Sequence, residues 1–246
     1  MAALGALGCG SSDDADGGGR QDGGVSTVAA GTPGEGKSLR YAVVGDSNSN
    51  GEAAGPDGAA DPEGVAWPAV LARKLTEDGL AVDLVANPAI TGATIEQATA
   101  EELPVFKAAR PDVATLMIGN NDWVAQTTPE DFRAQFKALL AEVVETTGGP
   151  ERVITVGTTA FYVTENGKGY ADGRDAEAEV KEFNTIVRDE SEAAGVAFID
   201  VFDLSEAMTD PSLVAPDGLH ASARELGLWA DRIAEVARER WGDLRP

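Results

Sequence analysis

Short apolar runs alternate with amphipathic stretches along most of this chain of 246 residues. Each run is no longer than eight residues, is rich in Val and Ile, and is bounded by turn-forming residues. Runs of this length and composition are typical of strands that are buried on both faces of a parallel sheet. The chain contains five of them, at residues 39–45, 81–87, 112–119, 152–159 and 196–201.

The amphipathic stretches between these runs predict helices. In residues 128–149, Thr128 is placed to cap the helix, Pro129 lies in the first turn, and apolar residues recur at helical spacing. Similar stretches occupy residues 67–79, 174–195 and 223–241. Strands that alternate with helices indicate an α/β fold with helices on both faces of the sheet. Ligands bind beyond the carboxyl ends of the strands in such sheets, so candidate chemistry is expected there.

Residues 1–36 lack this periodicity. Residues 1–9 are small and apolar and end in Cys9, and the sequence ALGC resembles a bacterial lipobox, whose cysteine is lipidated. Residues 10–36 are rich in Gly, Asp and Ser, which predicts a disordered linker. Eight residues are too few for a signal peptide, and no Lys or Arg precedes the apolar run, so an incidental cysteine is the alternative. Either way, we predict that the folded domain comprises residues 37–246.

The composition argues against several classes of partner and cofactor. A net charge of -23 and a pI near 4.2 argue against nucleic acid and against electrostatic docking on an anionic membrane. With one cysteine and one histidine, the chain has neither an internal disulfide nor a CxxC zinc site, and it lacks a phosphate-binding loop. We therefore predict no metal and no cofactor, and membrane association only through a lipid anchor at Cys9.

Three strand ends carry residues suited to acyl chemistry. The first run leads into GDSNSNG, where Ser47 and its backbone N–H sit at a strand-to-loop turn. Such an N–H can stabilise an oxyanion, although Gly-Asp-Ser is also ordinary turn composition. After the second run, Gly92 either lets a backbone N–H approach a ligand or serves as a turn glycine. After the third, Asn121 either offers a neutral amide donor or forms an Asx-type turn.

The only histidine of the chain, His220, lies in the loop APDGLHAS just before the last predicted helix. A lone histidine is more often a packing or surface residue than a catalytic one. Asp217 precedes it by three residues, a spacing at which the carboxylate can reach one imidazole nitrogen while the other faces a cleft. That arrangement would hold the imidazole in the tautomer that accepts a proton from Ser47.

Four motifs in order, GDS (45–47), the glycine of ITGAT (90–94), GNND (119–122) and DGLH (217–220), resemble the SGNH, or GDSL-type, hydrolase family. The resemblance covers roughly residues 39–241. It implies a three-layer α/β/α sandwich with a mostly parallel, flavodoxin-like sheet of about five strands.

The resemblance also implies roles for individual residues. Ser47 would be the nucleophile, His220 the general base and then acid, and Asp217 the residue that orients His220. The N–H groups of Ser47 and Gly92 and the side-chain amide of Asn121 would form the oxyanion hole. The sequence departs from the family at the two asparagines that follow the nucleophile, where an apolar residue is common; these are Asn48 and Asn50. A second ambiguity is Asn120, but Asn121 stands next to the aspartate of GNND and is taken as the matching residue.

The predicted function is that of a serine carboxylic-ester hydrolase working through an acyl-enzyme at Ser47. Short-chain, lipid and carbohydrate O-acetyl esters, including polysaccharide esters, all remain candidate substrates. The expected location is outside the cytoplasm, secreted or lipid-anchored. The alternatives are an acyltransferase, a thioesterase, and a non-catalytic surface lipoprotein on a hydrolase scaffold.

Aromatic residues are the candidates for the substrate pocket. Residues 160–173 form a long polar loop after the fourth run, and loops of this length tend to be functional. The candidates for an acyl or sugar pocket are Trp123, Phe161, Tyr162 and Tyr170. Ordinary surface aromatics are the alternative. Three other tryptophans lie in predicted helices and are expected to pack in the core; they are Trp67, Trp229 and Trp241.

Overall fold

A computed structural model of the chain describes residues 38–244. Its five strands form one sheet in the order β2-β1-β3-β4-β5, and every neighbouring pair is parallel. The strands are β1 (Leu39–Gly45), β2 (Val82–Ala86), β3 (Val113–Met117), β4 (Val153–Val156) and β5 (Ala197–Ile199). All five lie within the predicted apolar runs.

Helices connect the strands. The α-helices are α1 (Ser47–Asn50), α2 (Trp67–Glu77), α3 (Ile95–Gln97), α4 (Leu103–Ala109), α5 (Asn120–Val124), α6 (Pro129–Thr147), α7 (Ala176–Ala193), α8 (Phe202–Glu206) and α9 (Ala223–Trp241). A π-helical turn, Ala98–Glu102, joins α3 to α4. Short 3₁₀ turns occupy Pro56–Gly58, Pro150–Arg152, Phe161–Val163, Gly167–Tyr170, Ala207–Thr209 and Pro211–Leu213. The four predicted helices are confirmed as α2, α6, α7 and α9.

Two apolar layers hold the helices to the sheet. Strand β1 shows the division, because successive side chains of a strand point to opposite faces. Ala42 and Val44 belong to the layer under α4, α6 and α7, whereas Tyr41 and Val43 belong to the layer under α2 and α9. Helices on both faces of an all-parallel sheet confirm the predicted three-layer α/β/α architecture.

The helical segment from α3 to α4 has no counterpart among the predicted helices. Its buried apolar residues are Ile95, Ala98, Leu103 and Phe106. The five-residue step between Ala98 and Leu103 breaks the regular helical spacing of three or four. The π-helical turn accommodates that step by inserting an extra residue, so that both halves of the segment face the sheet.

The predicted lipidation site at Cys9 and the predicted linker of residues 10–36 lie outside the described residues. Within residues 38–244, no helix is long and apolar enough to cross a membrane.

Candidate active site

Ser47 begins the short helix that follows β1. The carboxylate of Asp46 caps this helix by accepting hydrogen bonds from the backbone N–H and the side-chain amide of Asn48, at 3.0 and 3.1 Å. Gly51 ends it in the left-handed conformation, with φ 68°. Gly45 precedes the turn, and a Cβ there would lie only 2.3 Å from Oγ of Ser49. The tight turn between strand and helix therefore requires Gly45 and favours Asp46 as the cap, and it places Ser47 at the start of the helix.

Asp217 and His220 form the pair expected from their spacing. Nδ1 of His220 lies 2.5 Å from Oδ2 of Asp217, so Nε2 is the ring nitrogen left for other partners. Oδ1 of Asp217 accepts hydrogen bonds from the backbone N–H groups of Leu219 and His220, both at 3.0 Å. Burial raises the pKa of Asp217, but these hydrogen bonds and the neighbouring imidazole outweigh burial and lower it below its usual value. The carboxylate is thus held ionised against the ring.

Asn166 holds the loop that contains Asp217 and His220, a role that the sequence did not predict. Its Nδ2 donates to the backbone oxygen of Asp217 at 2.5 Å, and its own N–H donates to the backbone oxygen of Gly218 at 3.0 Å. Gly218 has φ 71°, and a Cβ there would lie 2.9 Å from Nδ2 of Asn166. The glycine of DGLH therefore permits both the left-handed turn and the close approach of Asn166.

The two asparagines of GNND have different partners. The amide of Asn120 donates to Oγ1 of Thr159 at 2.5 Å, and its oxygen accepts from the N–H of Thr159 at 3.1 Å. Asn121 uses one amide hydrogen to donate to the backbone oxygen of Ala93 at 3.1 Å. An amide nitrogen carries two hydrogens, and each of these two asparagines uses one of them in these contacts. The side chains differ in what they hold: Asn120 is bonded to Thr159, whereas Asn121 is bonded to the residue that follows Gly92.

Gly92 lies one residue before the carbonyl that Asn121 holds. Its backbone has φ 84°, which disfavours any side chain, and it is exposed, with no atom from elsewhere in the fold within 4 Å of a Cβ position. It is not among the residues that line the cavity beside Ser47. The hydrogen bond from Asn121 to Ala93 joins the loop of Gly92 to the cavity, because Asn121 lines the cavity wall.

A cavity of about 70 Å³ brings Ser47 and His220 together. Its other lining residues are Asn48, Asn120, Asn121, Val124, Thr159, Phe161, Tyr170, Met208 and Leu219. Phe161 and Tyr170 were predicted for this wall. Val124, Met208 and Leu219 were not, because single apolar residues in a sequence do not reveal whether they face a core or a cavity.

Two of the predicted pocket aromatics are placed elsewhere. Trp123 is fully buried, its Nε1 donates to Glu179 at 2.9 Å, and the Arg174 guanidinium lies 3.9 Å from its ring centre. The structure therefore places Trp123 in the core and not on the wall of this cavity. Tyr162 packs between Phe161 and Phe202 and does not line the cavity either. By contrast, the three tryptophans expected in the core are fully buried; they are Trp67, Trp229 and Trp241.

Three carboxyl groups are buried around the loops of the site. Burial raises the pKa of Asp46 to about 6, that of Asp122 to about 6 and that of Glu102 to about 8. Repulsion from Asp46 contributes to the increases at the other two. Each of the three accepts hydrogen bonds from backbone N–H groups, so all three act on the main chain of the site.

Two other features lie apart from this cavity. A larger cleft of about 820 Å³ runs along β2 and α2 and contains none of the predicted site residues. No group of three or more His, Cys, Asp or Glu side chains within residues 38–244 is arranged to hold a metal ion.

Comparisons with known proteins identify the family and the fold of the chain. A sequence model of the GDSL-like lipase/acylhydrolase family matches residues 43–224, which is more than half of the chain. The crystal structure of a lipase/acylhydrolase from Enterococcus faecalis is 22% identical, with a TM-score of 0.62 over 82% of this chain and 96% of that one. An acetylxylan esterase from Geobacillus stearothermophilus is 18% identical, with a TM-score of 0.62 over 85% of this chain and 96% of that one.

A psychrotrophic esterase from Pseudoalteromonas, inhibited by monoethylphosphonate in its crystal structure, is 16% identical, with a TM-score of 0.61 over 83% of this chain and 100% of that one. At these identities the structural likeness establishes the fold. The search of curated proteins found no match. The family match, which includes the GDS, GNND and DGLH motifs, establishes more: the chain belongs to the GDSL-like lipase/acylhydrolase family and is a carboxylic-ester hydrolase.

Proposed function

We propose that the protein is a serine esterase that cleaves short acyl esters through an acyl-enzyme at Ser47. The observation that carries the proposal is the pairing of His220 with Asp217 on the wall of the cavity that also contains Ser47. A serine hydroxyl is a weak nucleophile at neutral pH and needs an adjacent base. Nε2 of His220 is the base that this arrangement leaves available.

The reaction has two balanced halves. In the first, Oγ of Ser47 bonds to the acyl carbon and its proton moves to Nε2 of His220; the tetrahedral intermediate then collapses, and the alcohol leaves with that proton. In the second, water gives a proton to His220 and its oxygen bonds to the acyl carbon. The C–Oγ bond then breaks, Ser47 regains the proton, and the carboxylic acid is released.

The charge that develops on the carbonyl oxygen needs donors fixed in advance. We propose the N–H groups of Ser47 and Gly92 and the free amide hydrogen of Asn121. The Asn121–Ala93 bond supports this assignment, because it fixes the amide relative to the oxyanion loop, residues 90–94, which contains Gly92. Asp217 in turn stabilises the imidazolium that exists while the oxyanion does.

The size and lining of the cavity support a short acyl group. A volume of about 70 Å³ suits a small acyl group such as acetyl better than an extended fatty chain. Apart from His220, the lining residues are uncharged, so the acyl end of the substrate is neutral. The likeness to an acetylxylan esterase supports carbohydrate acetates among the candidate substrates.

The experiment is hydrolysis of p-nitrophenyl esters from acetate to decanoate by wild type and Ser47→Ala. We expect turnover that declines as the acyl chain lengthens, and none by the variant. Equal turnover by both proteins would refute the role of Ser47. Faster turnover of long chains would refute the short-acyl proposal while leaving the mechanism intact.

A phosphonate probe tests the nucleophile without reference to the natural substrate. In a p-nitrophenyl alkylphosphonate, Oγ of Ser47 would bond to phosphorus and p-nitrophenolate would leave, in an amount equal to the active protein. Absence of labelling at Ser47, checked by peptide mass, would count against catalysis. It would favour a binding role on the same scaffold.

We also propose that the protein works outside the cytoplasm and carries a lipid at Cys9. The support is the lipobox-like sequence that ends at that residue. Detergent phase partitioning of the full chain from a bacterial host should show wild type in the detergent phase and Cys9→Ser in the aqueous phase. Identical partitioning of the two would contradict lipidation at Cys9.

A further inference from the structure

Glu102 is a buried carboxyl group that the mechanism above does not use. It lies in the π-helical turn between α3 and α4, and its side chain is completely buried. Within residues 38–244, no Lys, Arg or His forms an ion pair with it. Burying a carboxyl group without an ion-pair partner costs free energy, so we expect its burial to serve a structural or functional purpose.

The two oxygens of Glu102 hold two different loops of the site. Oε2 accepts the backbone N–H of Gly45 at 3.0 Å, and Oε1 accepts the backbone N–H of Ile90 at 3.2 Å. Gly45 lies two residues before Ser47, and Ile90 lies two residues before Gly92. One side chain therefore fixes both backbone segments that lead to the proposed oxyanion N–H groups. In each segment the fixed residue lies two positions before the donor.

Other contacts complete the support of the oxyanion loop without duplicating this one. Asn121 holds the backbone oxygen of Ala93, and Asp122 accepts the N–H of Ile95 at 3.1 Å, so these two connect the loop to α5. Beyond the nucleophile, Asn87 donates to the backbone oxygen of Ser49 at 2.8 Å. There too, the hydroxyl of Thr91 accepts from Asn50 at 3.4 Å and donates to Glu52 at 2.5 Å. Glu102 is the residue that holds the chain ahead of both N–H donors.

We propose that Glu102 is a positioning residue for the oxyanion hole, setting the N–H groups of Ser47 and Gly92 relative to each other. The inference rests on the proposed function. A carboxyl group suits the task because it presents an acceptor oxygen to each of two N–H groups. Glutamine has the same shape but only one acceptor, so it would point an NH₂ group at one of the two N–H donors.

The test compares wild type, Glu102→Gln and Glu101→Gln. Glu101 is the matched control because it is the same residue type in the same π-helical turn, but it is exposed, and its carboxylate accepts a hydrogen bond from the side chain of Gln97 rather than from the main chain of the site. Removing one oxyanion donor outright costs about 10²–10³ in kcat, so misplacing donors in Glu102→Gln should lower kcat about 10- to 100-fold. KM should change little, because the oxyanion exists only in the transition state. Glu101→Gln should match wild type.

Titration with the p-nitrophenyl phosphonate separates positioning from loss of folded protein. Positioning predicts a full equivalent of p-nitrophenolate released from Glu102→Gln, but at a reduced rate and with a reduced kcat per labelled site. A reduced equivalent with normal kcat per labelled site would show that Glu102 only stabilises the fold, and would overturn the proposal. Unchanged kinetics in Glu102→Gln would overturn it as well.

Two further results keep the test decisive. If Glu102→Gln does not fold, Glu102→Asp replaces it, since the shorter carboxylate cannot span both N–H groups; wild-type kinetics in Glu102→Asp would overturn the proposal. If wild type releases no p-nitrophenolate and cleaves no ester, the proposed function itself fails. An active wild type together with an equally active Glu102→Gln is a different outcome. It would refute the positioning role of Glu102 and leave the proposed function intact.

Discussion

Replacing Asp217 with asparagine isolates the effect of the carboxylate on the tautomer of His220. The oxygen of the new amide can still accept the N–H groups of Leu219 and His220, which the native Oδ1 accepts at 3.0 Å. The new NH₂ group takes the place of Oδ2, which lies 2.5 Å from Nδ1 of His220. A donor at that position requires Nδ1 to accept, so the proton of the neutral ring moves to Nε2. The ring then cannot take a proton from Ser47.

The expected loss follows from this geometry. The wrong tautomer, with the backbone otherwise in place, costs about 10⁴ in kcat in a serine hydrolase triad. That factor corresponds to about 5 kcal/mol of transition-state stabilisation. Stability should change little, because two of the three hydrogen bonds of Asp217 survive and its side chain is about one-third exposed. Steady-state hydrolysis of p-nitrophenyl acetate measures the first effect and thermal unfolding the second.

Asp210→Asn is the control for this experiment. Asp210 is also a loop aspartate that accepts a backbone N–H, that of Ser212 at 2.9 Å, but it is exposed and does not line the cavity. Its variant should keep the kcat of wild type. If Asp217→Asn stays within tenfold of wild type, the ring does not depend on the carboxylate for its tautomer, and the proposed triad is wrong.

Three other predictions address the core, the oxyanion hole and the buried carboxyl groups. Trp123→Ala should lower the free energy of unfolding by about 3–5 kcal/mol in urea, because Trp123 is a core residue; an unchanged free energy of unfolding would contradict that role. Asn121→Ala should lower kcat about 10²–10³-fold at similar KM in steady-state kinetics, and an unchanged kcat would exclude it as a donor. Burial raises the pKa of Glu102 from 4.5 to about 8, so the folded protein binds this proton more tightly than the unfolded chain. The stability that this bound proton contributes is full below about pH 4.5 and is lost as the pH rises through about 8. Urea unfolding between pH 5 and 9 should therefore show the wild type losing stability relative to Glu102→Gln. A stability difference that stays constant over this range would contradict the raised pKa.

The sheet was predictable from the sequence because burial on both faces leaves a local signature. Every strand lies inside a predicted apolar run, and Thr128 caps α6 by accepting the N–H of Asp131, as its position in the sequence indicates. The segment from α3 to α4 escaped prediction for the opposite reason. Its apolar residues depart from helical spacing at the π-helical turn, and a pattern search assumes regular spacing.

The candidate site was predictable only where its residues are close in sequence or belong to a family motif. Asp217 and His220 are three residues apart, and the structure pairs them directly. Asn166 acts on that pair from 51 residues away, and Glu102 acts on Gly45 across 57 residues, so no local pattern contains either contact. Trp123 was one of the aromatic candidates for the pocket, but α5 directs its indole into the core.

The raised pKa of Glu102 bears on how the proposed oxyanion hole would work in so acidic a protein. An ionised carboxylate close to the oxyanion hole would repel the charge that forms there, and a low dielectric would strengthen the repulsion. Burial raises the pKa of Glu102 to about 8, so most of this group is protonated at neutral pH. A protonated carboxyl group still presents oxygen atoms to the N–H groups of Gly45 and Ile90 but brings no net charge. In the proposed site, a neutral Glu102 orients the backbone ahead of Ser47 and Gly92 without adding a further negative charge to those of Asp46 and Asp122, whose pKa values of about 6 leave them mostly ionised at neutral pH.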